Sequence, residues 1–67
     1  MNKNLKVVRE RATWLRKNKL TIRAFAEGTG NDPGTAHVWF RTGRTPRRKY
    51  LEDILAIHSD WPVANTL

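Results

Sequence analysis

The side chains able to do covalent or metal chemistry are few and scattered. Ser59 is the only serine, His37 and His58 stand far apart with no carboxylate at a useful spacing, and cysteine is absent. A nucleophile needs an adjacent base to be activated, and zinc would lack ligands. The sequence therefore reads as a non-enzyme with no cofactor, no metal and no small-molecule ligand. Cations are what the chain has in abundance: thirteen Lys and Arg oppose six Asp and Glu, for a formal charge of +7. Such a balance calls for a polyanionic partner, with duplex nucleic acid first and an anionic membrane surface second. The membrane reading needs a broad exposed apolar face, which this chain must spend on its own core.

Several of these residues fall at spacings that suit a nucleic-acid contact. His37 and Arg41 are one helical turn apart, with Val38 beside them. Arg41 can fork onto guanine O6 and N7, His37 can donate to a base or a phosphate, and Val38 can rest on a thymine methyl. Against these stand a phosphate contact for Arg41, a solvent-facing imidazole for His37 and a half-buried place beside the last helix for Val38. Arg44, Arg47, Arg48 and Lys49 crowd the start of a later helix, where they oppose its dipole and repel one another unless an anion is near. Thr45 and Arg47 are the best phosphate clamps of that group, with Glu52 and Asp53 as the competing partners. Thr35 joins the phosphate-binding set. Thr21 and Arg23 are placed to touch the backbone across the groove, although capping alone explains Thr21. Arg11 lies inside the apolar arc of the first helix and reads as a snorkelling side chain or a partner of Glu52.

The elements that must position these groups are helices. From Asn4 to Lys17, Leu5, Val8, Ala12 and Leu15 recur at helical spacing, widened by Val7 and Trp14, and the run should stop near Asn18 and Lys19. Thr21 caps a second, short helix that buries Ile22, Phe25 and Ala26, with Gly30 as the left-handed residue that closes it. Asp32 and Pro33 start a third helix reaching about Arg41. Its inward face is Ala36, Trp39 and Phe40, its outward face Gly34, His37, Val38 and Arg41, and Gly43 ends it. Thr45 and Pro46 repeat the cap logic for a fourth helix whose stripe is Tyr50, Leu51, Ile54, Leu55 and Ile57, ending near His58. Beyond it, Trp61 is read as a plug for the core or, failing that, a dimer contact.

The stretch Thr21 to Gly43, with Leu20-Thr21 opening the second helix, Ala26 at its inner turn, Gly30 at the turn between two short helices, Trp39 on the core side and Gly43-Arg44-Thr45-Pro46 leading onward, resembles the Cro/CI-like (XRE) helix-turn-helix regulators. The likeness spans about Leu15 to Ile57. It implies a lambda-repressor-like bundle whose third helix enters the major groove, and it carries base reading onto Pro33, Gly34, His37, Val38 and Arg41. Asn31 and Ala36 stand where that family usually has aliphatic residues. A weaker resemblance links residues 32–51 to the C-terminal DNA-binding domain of the H-NS silencers, which would make Ala36 to Phe40 a strand and send a Gly-Arg loop into an A/T-rich minor groove. The string Val38-Trp39-Phe40-Arg41 is similar to the homeodomain's third helix, but Thr42 replaces that family's adenine-reading Asn and Pro46 would cut the helix short.

With 67 residues there is room for one domain, 1–67, and its small core must be rich in aromatics. The expectation is an all-α bundle of four to five helices that binds duplex DNA as a transcriptional regulator of the phage or prophage repressor kind. No secretory signal or membrane span is visible, and the bacterial cytoplasm is the expected setting. A homodimer on DNA is expected, with the surface around Trp61, Val63 and Leu67 as the contact. The alternatives are minor-groove binding of the silencer type and a small module that inhibits a host protein.

Overall fold

Each helix boundary is set by a residue whose chemistry can start or stop the backbone ladder. The computed structural model describes residues 5–63 and holds four helices and no strand among them: α1 Leu5–Lys17, α2 Ile22–Gly28, α3 Pro33–Thr42 and α4 Arg48–Ile57. At the end of α1, Asn18 Nδ2 donates to the Trp14 carbonyl at 2.8 Å. Lys19 takes a left-handed φ of 56°, and the Leu20 amide returns to the Leu15 carbonyl at 2.9 Å, a six-to-one closure usually given to glycine. The Thr21 hydroxyl caps α2 by accepting from the Ala24 amide at 3.0 Å.

Between α2 and α3 runs a tight connection. Gly30 adopts φ 74°, which lets the Asn31 amide reach the Ala26 carbonyl at 2.8 Å. The Asn31 side chain donates to the buried Thr29 hydroxyl at 2.9 Å, and that hydroxyl donates in turn to the Phe25 carbonyl at 2.9 Å. Asn31 is thus held in the turn by hydrogen bonds from both its amide and its side chain. The Asp32 carboxylate caps α3 through the Gly34 amide at 2.8 Å, with Pro33 in the first turn. Gly43, left-handed at φ 74°, closes the helix through the Trp39 carbonyl.

α3 packs against both α1 and α2. The core is an aromatic cluster centred on Phe25, which is fully buried and meets Trp14 at 5.7 Å, Phe40 at 5.0 Å, His58 at 5.6 Å and Trp61 at 5.7 Å between ring centroids. Ala26, Ala36, Trp39 and Ile54 complete it, and Tyr50, Leu51 and Leu55 bring α4 onto it. Trp61, at 2 % exposure, is a core residue. Its assignment to a dimer contact is therefore withdrawn; Val63 is exposed and Leu67 lies outside the described residues.

Three sequence readings need correction, and one alternative is excluded. α1 is rotated from the expected stripe: Val7, Arg11 and Trp14 form the buried line, while Leu5 is 59 % exposed. Placing the two large rings of α1 and α2 together at Trp14 and Phe25 sets that phase. Thr45 and Pro46 do not cap α4; residues 43–47 form no helix and the helix begins at Arg48, with the extended Arg47 at its cap position and no side-chain cap bond. Pro46 is buried, which holds this segment against the fold rather than in the helix. Ile57 is 54 % exposed and lies off the core stripe. The segment Ala36 to Phe40 is helical, so the strand that a silencer-type fold requires is not formed.

Candidate nucleic-acid interface

Helix α3 has two chemically distinct sides. Ala36, Trp39 and Phe40 are buried, whereas Gly34, His37, Val38 and Arg41 are exposed. At 100° per residue the four exposed positions share one ridge: Gly34 and Val38 are one turn apart, as are His37 and Arg41. Trp39 and Phe40 anchor the underside of that ridge in the aromatic cluster.

A groove of about 550 Å³ runs along one flank of the ridge. Asp32, Gly34, Thr35, Val38 and Trp39 form its α3 wall. Arg44, Thr45, Pro46, Arg47 and Tyr50 form the wall opposite. Six of the residues singled out from sequence, Gly34, Thr35, Val38, Arg44, Thr45 and Arg47, thus meet around one cleft. His37 and Arg41 occupy the adjoining exposed side of α3. Thr21 and Arg23, at the start of α2, lie apart from the groove: Thr21 is engaged as the α2 cap and Arg23 pairs with Glu27 at 3.4 Å.

The cations around the groove differ in how far they are committed. Arg48 pairs with Glu52 at 3.5 Å, one turn along α4, while Lys49 is exposed beside it. Among the described residues, Arg41, Arg44, Arg47 and Lys49 make no ion pair. The first turn of α4 contains no acidic residue and its cap position supplies no side-chain acceptor, so its free amides add positive potential to the basic side chains around them. The start of α3 is different, because the Asp32 carboxylate already sits there on the Gly34 amide.

Behind this surface lies a residue that sequence reading placed wrongly. Arg11 is fully buried and meets no carboxylate. Its Nη1 donates to the Trp39 carbonyl at 2.8 Å and to the Arg44 carbonyl at 2.8 Å, and its Nε donates to the Pro62 carbonyl at 3.0 Å. Its guanidinium carbon lies 4.3 Å from the centroid of the Trp61 ring, a cation–π geometry. Glu52 is instead taken by Arg48. Burial pushes the Arg11 pKa down to about 10, with Glu10 opposing the shift, so the group is cationic at neutral pH. The one sequence signal for this role was a charged residue inside an apolar arc.

No family model, curated protein or solved structure matches this chain. Among the described residues no helix is long and apolar enough to cross a membrane, and no group of three His, Asp or Glu could hold a metal ion.

Proposed function

We propose that this chain is a non-catalytic, double-stranded DNA-binding module that recognises sequence by laying α3 in the major groove and acts as a transcriptional regulator. One observation carries the reading. A short helix anchored by Trp39 and Phe40 exposes Gly34, His37, Val38 and Arg41 along a ridge, and this ridge borders a groove whose far wall holds the unpaired Arg44 and Arg47. Base-reading groups beside phosphate-binding groups are the two contact classes that specific duplex recognition combines. Thr35, Thr45 and Lys49 extend the phosphate-binding side. Arg48 joins it once released from Glu52, and Thr21 and Arg23 reach the backbone across the groove.

One copy offers a single reading helix of ten residues, and successive major-groove half-sites on one face of DNA lie roughly 34 Å apart. A single copy therefore covers one half-site, and a homodimer on a two-fold operator is the form that gains specific affinity. Selection of bound duplexes from a random pool tests the whole reading. The expected result is an enriched motif with two-fold symmetry, protected by the protein against major-groove methylation. Enrichment of A/T tracts that a minor-groove drug displaces would instead favour entry by the Arg44 loop, and no enrichment at all would refute DNA reading by α3.

A further inference from the structure

The segment Gly43–Arg47 carries two of the cations that face the groove, yet little of its backbone is tied down locally. The Gly43 amide closes α3 on the Trp39 carbonyl at 3.2 Å. The Arg44 amide donates to the Thr42 hydroxyl at 3.2 Å, and that hydroxyl donates to the Val38 carbonyl at 2.6 Å. Those bonds end the helix; farther on, burial of Pro46 and the Leu51 amide's bond to the Arg47 carbonyl at 2.9 Å hold the α4 end of the segment, which leaves the Arg44 end to a contact from elsewhere. The polar contact that joins this segment to a distant part of the fold comes from Arg11, thirty-three residues away, whose Nη1 spans the Trp39 and Arg44 carbonyls at 2.8 Å each. The same guanidinium holds the Pro62 carbonyl through Nε and lies over Trp61.

We propose that Arg11 is a positioning residue for the nucleic-acid face: from inside the protein its guanidinium fixes the Arg44–Arg47 loop against the C-terminal end of α3, so that the loop's cations and the α3 ridge meet one ligand in a set geometry. This rests on the DNA-binding reading for its ligand, but the tether itself is independent of that reading. The geometry suits arginine in particular. A planar fork with several donors spans two carbonyls from one nitrogen and a third from another, whereas lysine offers a single nitrogen and methionine none. Arg11 does not touch the ligand; it acts through the path of the backbone it holds.

The test uses the full chain labelled with nitrogen-15, in wild-type form and as Arg11→Met, which keeps the stem and removes charge and donors. In the wild type the amides of Arg44 and Thr45 should be as ordered as those of α2, with order parameters of about 0.85; in Arg11→Met they should fall below about 0.6 while α2 is unchanged. Binding of a random-sequence duplex is measured against salt in the same pair and in Arg44→Ala/Arg47→Ala. Arg11→Met should lower the salt slope by about 1.8, the value for two lost phosphate contacts, and add nothing further when combined with the double variant. A merely structural arginine would lower stability without that non-additivity. An unchanged loop and slope in Arg11→Met, additive losses in the triple variant, or a mobile Arg44–Arg47 loop in the wild type would overturn the proposal, the last of these even if Arg11→Met failed to fold. A wild type that binds no duplex DNA but shows the ordered, Arg11-dependent loop would sink the DNA reading and leave the tether standing.

Discussion

Replacing Arg47 by alanine should change the salt dependence of DNA binding by an amount that the structure sets. Three cations assigned to phosphate, Arg44 and Arg47 at the groove and Lys49 at the start of α4, make no ion pair among the described residues. Each that neutralises a phosphate releases condensed counterions, so one protomer should give a slope of log K against log salt of about −2.7. Raising salt from about 50 to 200 mM then weakens binding ~40-fold per protomer. Arg47→Ala removes one contact, which brings the slope to about −1.8 and the same salt step to ~12-fold. Arg48→Ala is the internal comparison, because Arg48 is paired with Glu52 at 3.5 Å and must give up that partner to reach a phosphate. Its slope should therefore move less than that of Arg47→Ala. Fluorescence anisotropy of a labelled duplex, titrated at four or more salt concentrations, reads all three. A wild-type slope near zero, or an Arg47→Ala slope indistinguishable from wild type, refutes the assignment of Arg47 to phosphate; an equal loss from Arg48→Ala refutes the weighting by ion pairing.

Gly34→Ala places a methyl 2.8 Å from Asp32 Oδ2, the oxygen that caps α3, so a gain of up to about 1 kcal/mol from helix propensity is opposed by about 0.5–2 kcal/mol for a displaced cap, and thermal stability should be unchanged or modestly lowered. If Gly34 serves close approach of the duplex, the same variant weakens DNA binding at least tenfold in a mobility shift, and unaltered binding would remove it from the base-reading set. Lys19→Gly relieves a left-handed backbone at φ 56° and should stabilise the fold by up to about 1 kcal/mol, read as a raised Tm; a lowered Tm would mean that the Lys19 side chain contributes more than the strain costs. Trp61→Ala opens the centre of the aromatic cluster and should cost about 3–5 kcal/mol, a drop in Tm of roughly 10 °C or more, whereas a drop of only one or two degrees in a calorimetric scan would show that Trp61 is not a core residue in solution.

Much of the fold was legible because its boundaries are chemical. Asp32-Pro33, Gly30, Gly43 and Thr21 each act through a local bond or a local φ, and such signals survive whatever the rest of the chain does. The buried side of α3 was legible for the same reason, since Trp39 and Phe40 leave few ways to place two rings on a short helix. What local pattern could not give was anything decided by packing across the molecule. The phase of α1 turns on Trp14 meeting Phe25 and on Arg11 reaching Trp61, contacts invisible to periodicity, and so Leu5 was expected inside and Val7 only at the margin. Thr45-Pro46 carries a helix-start signal that the tertiary structure overrides, because Pro46 is buried in a non-helical segment and the helix waits until Arg48. Within the site, the outward residues of α3 followed from helical spacing, but the groove that joins them to Arg44 and Arg47 needed the path of the loop, which a residue of α1 helps to hold.

The ends of the two helices at the groove divide the electrostatic work between them. On α3, both ends of the dipole are met by the chain itself: the Asp32 carboxylate sits on the Gly34 amide of the first turn, and the Arg11 cation sits on the Trp39 carbonyl near the last. A buried cation with no carboxylate is costly, and here carbonyl dipoles and the face of Trp61 offset that cost in place of an anion. With its dipole compensated at both ends, α3 has only its exposed side chains left to offer a ligand, which suits a helix that discriminates bases. The start of α4 is the reverse, having no cap, no acid in its first turn and Arg47, Arg48 and Lys49 around bare amides. That end gains most from an anion and has no use for its identity, which is the character of a phosphate contact. On the DNA-binding reading, sequence discrimination should therefore be lost through substitutions at His37, Val38 or Arg41, while substitutions at the start of α4 weaken binding equally across sequences.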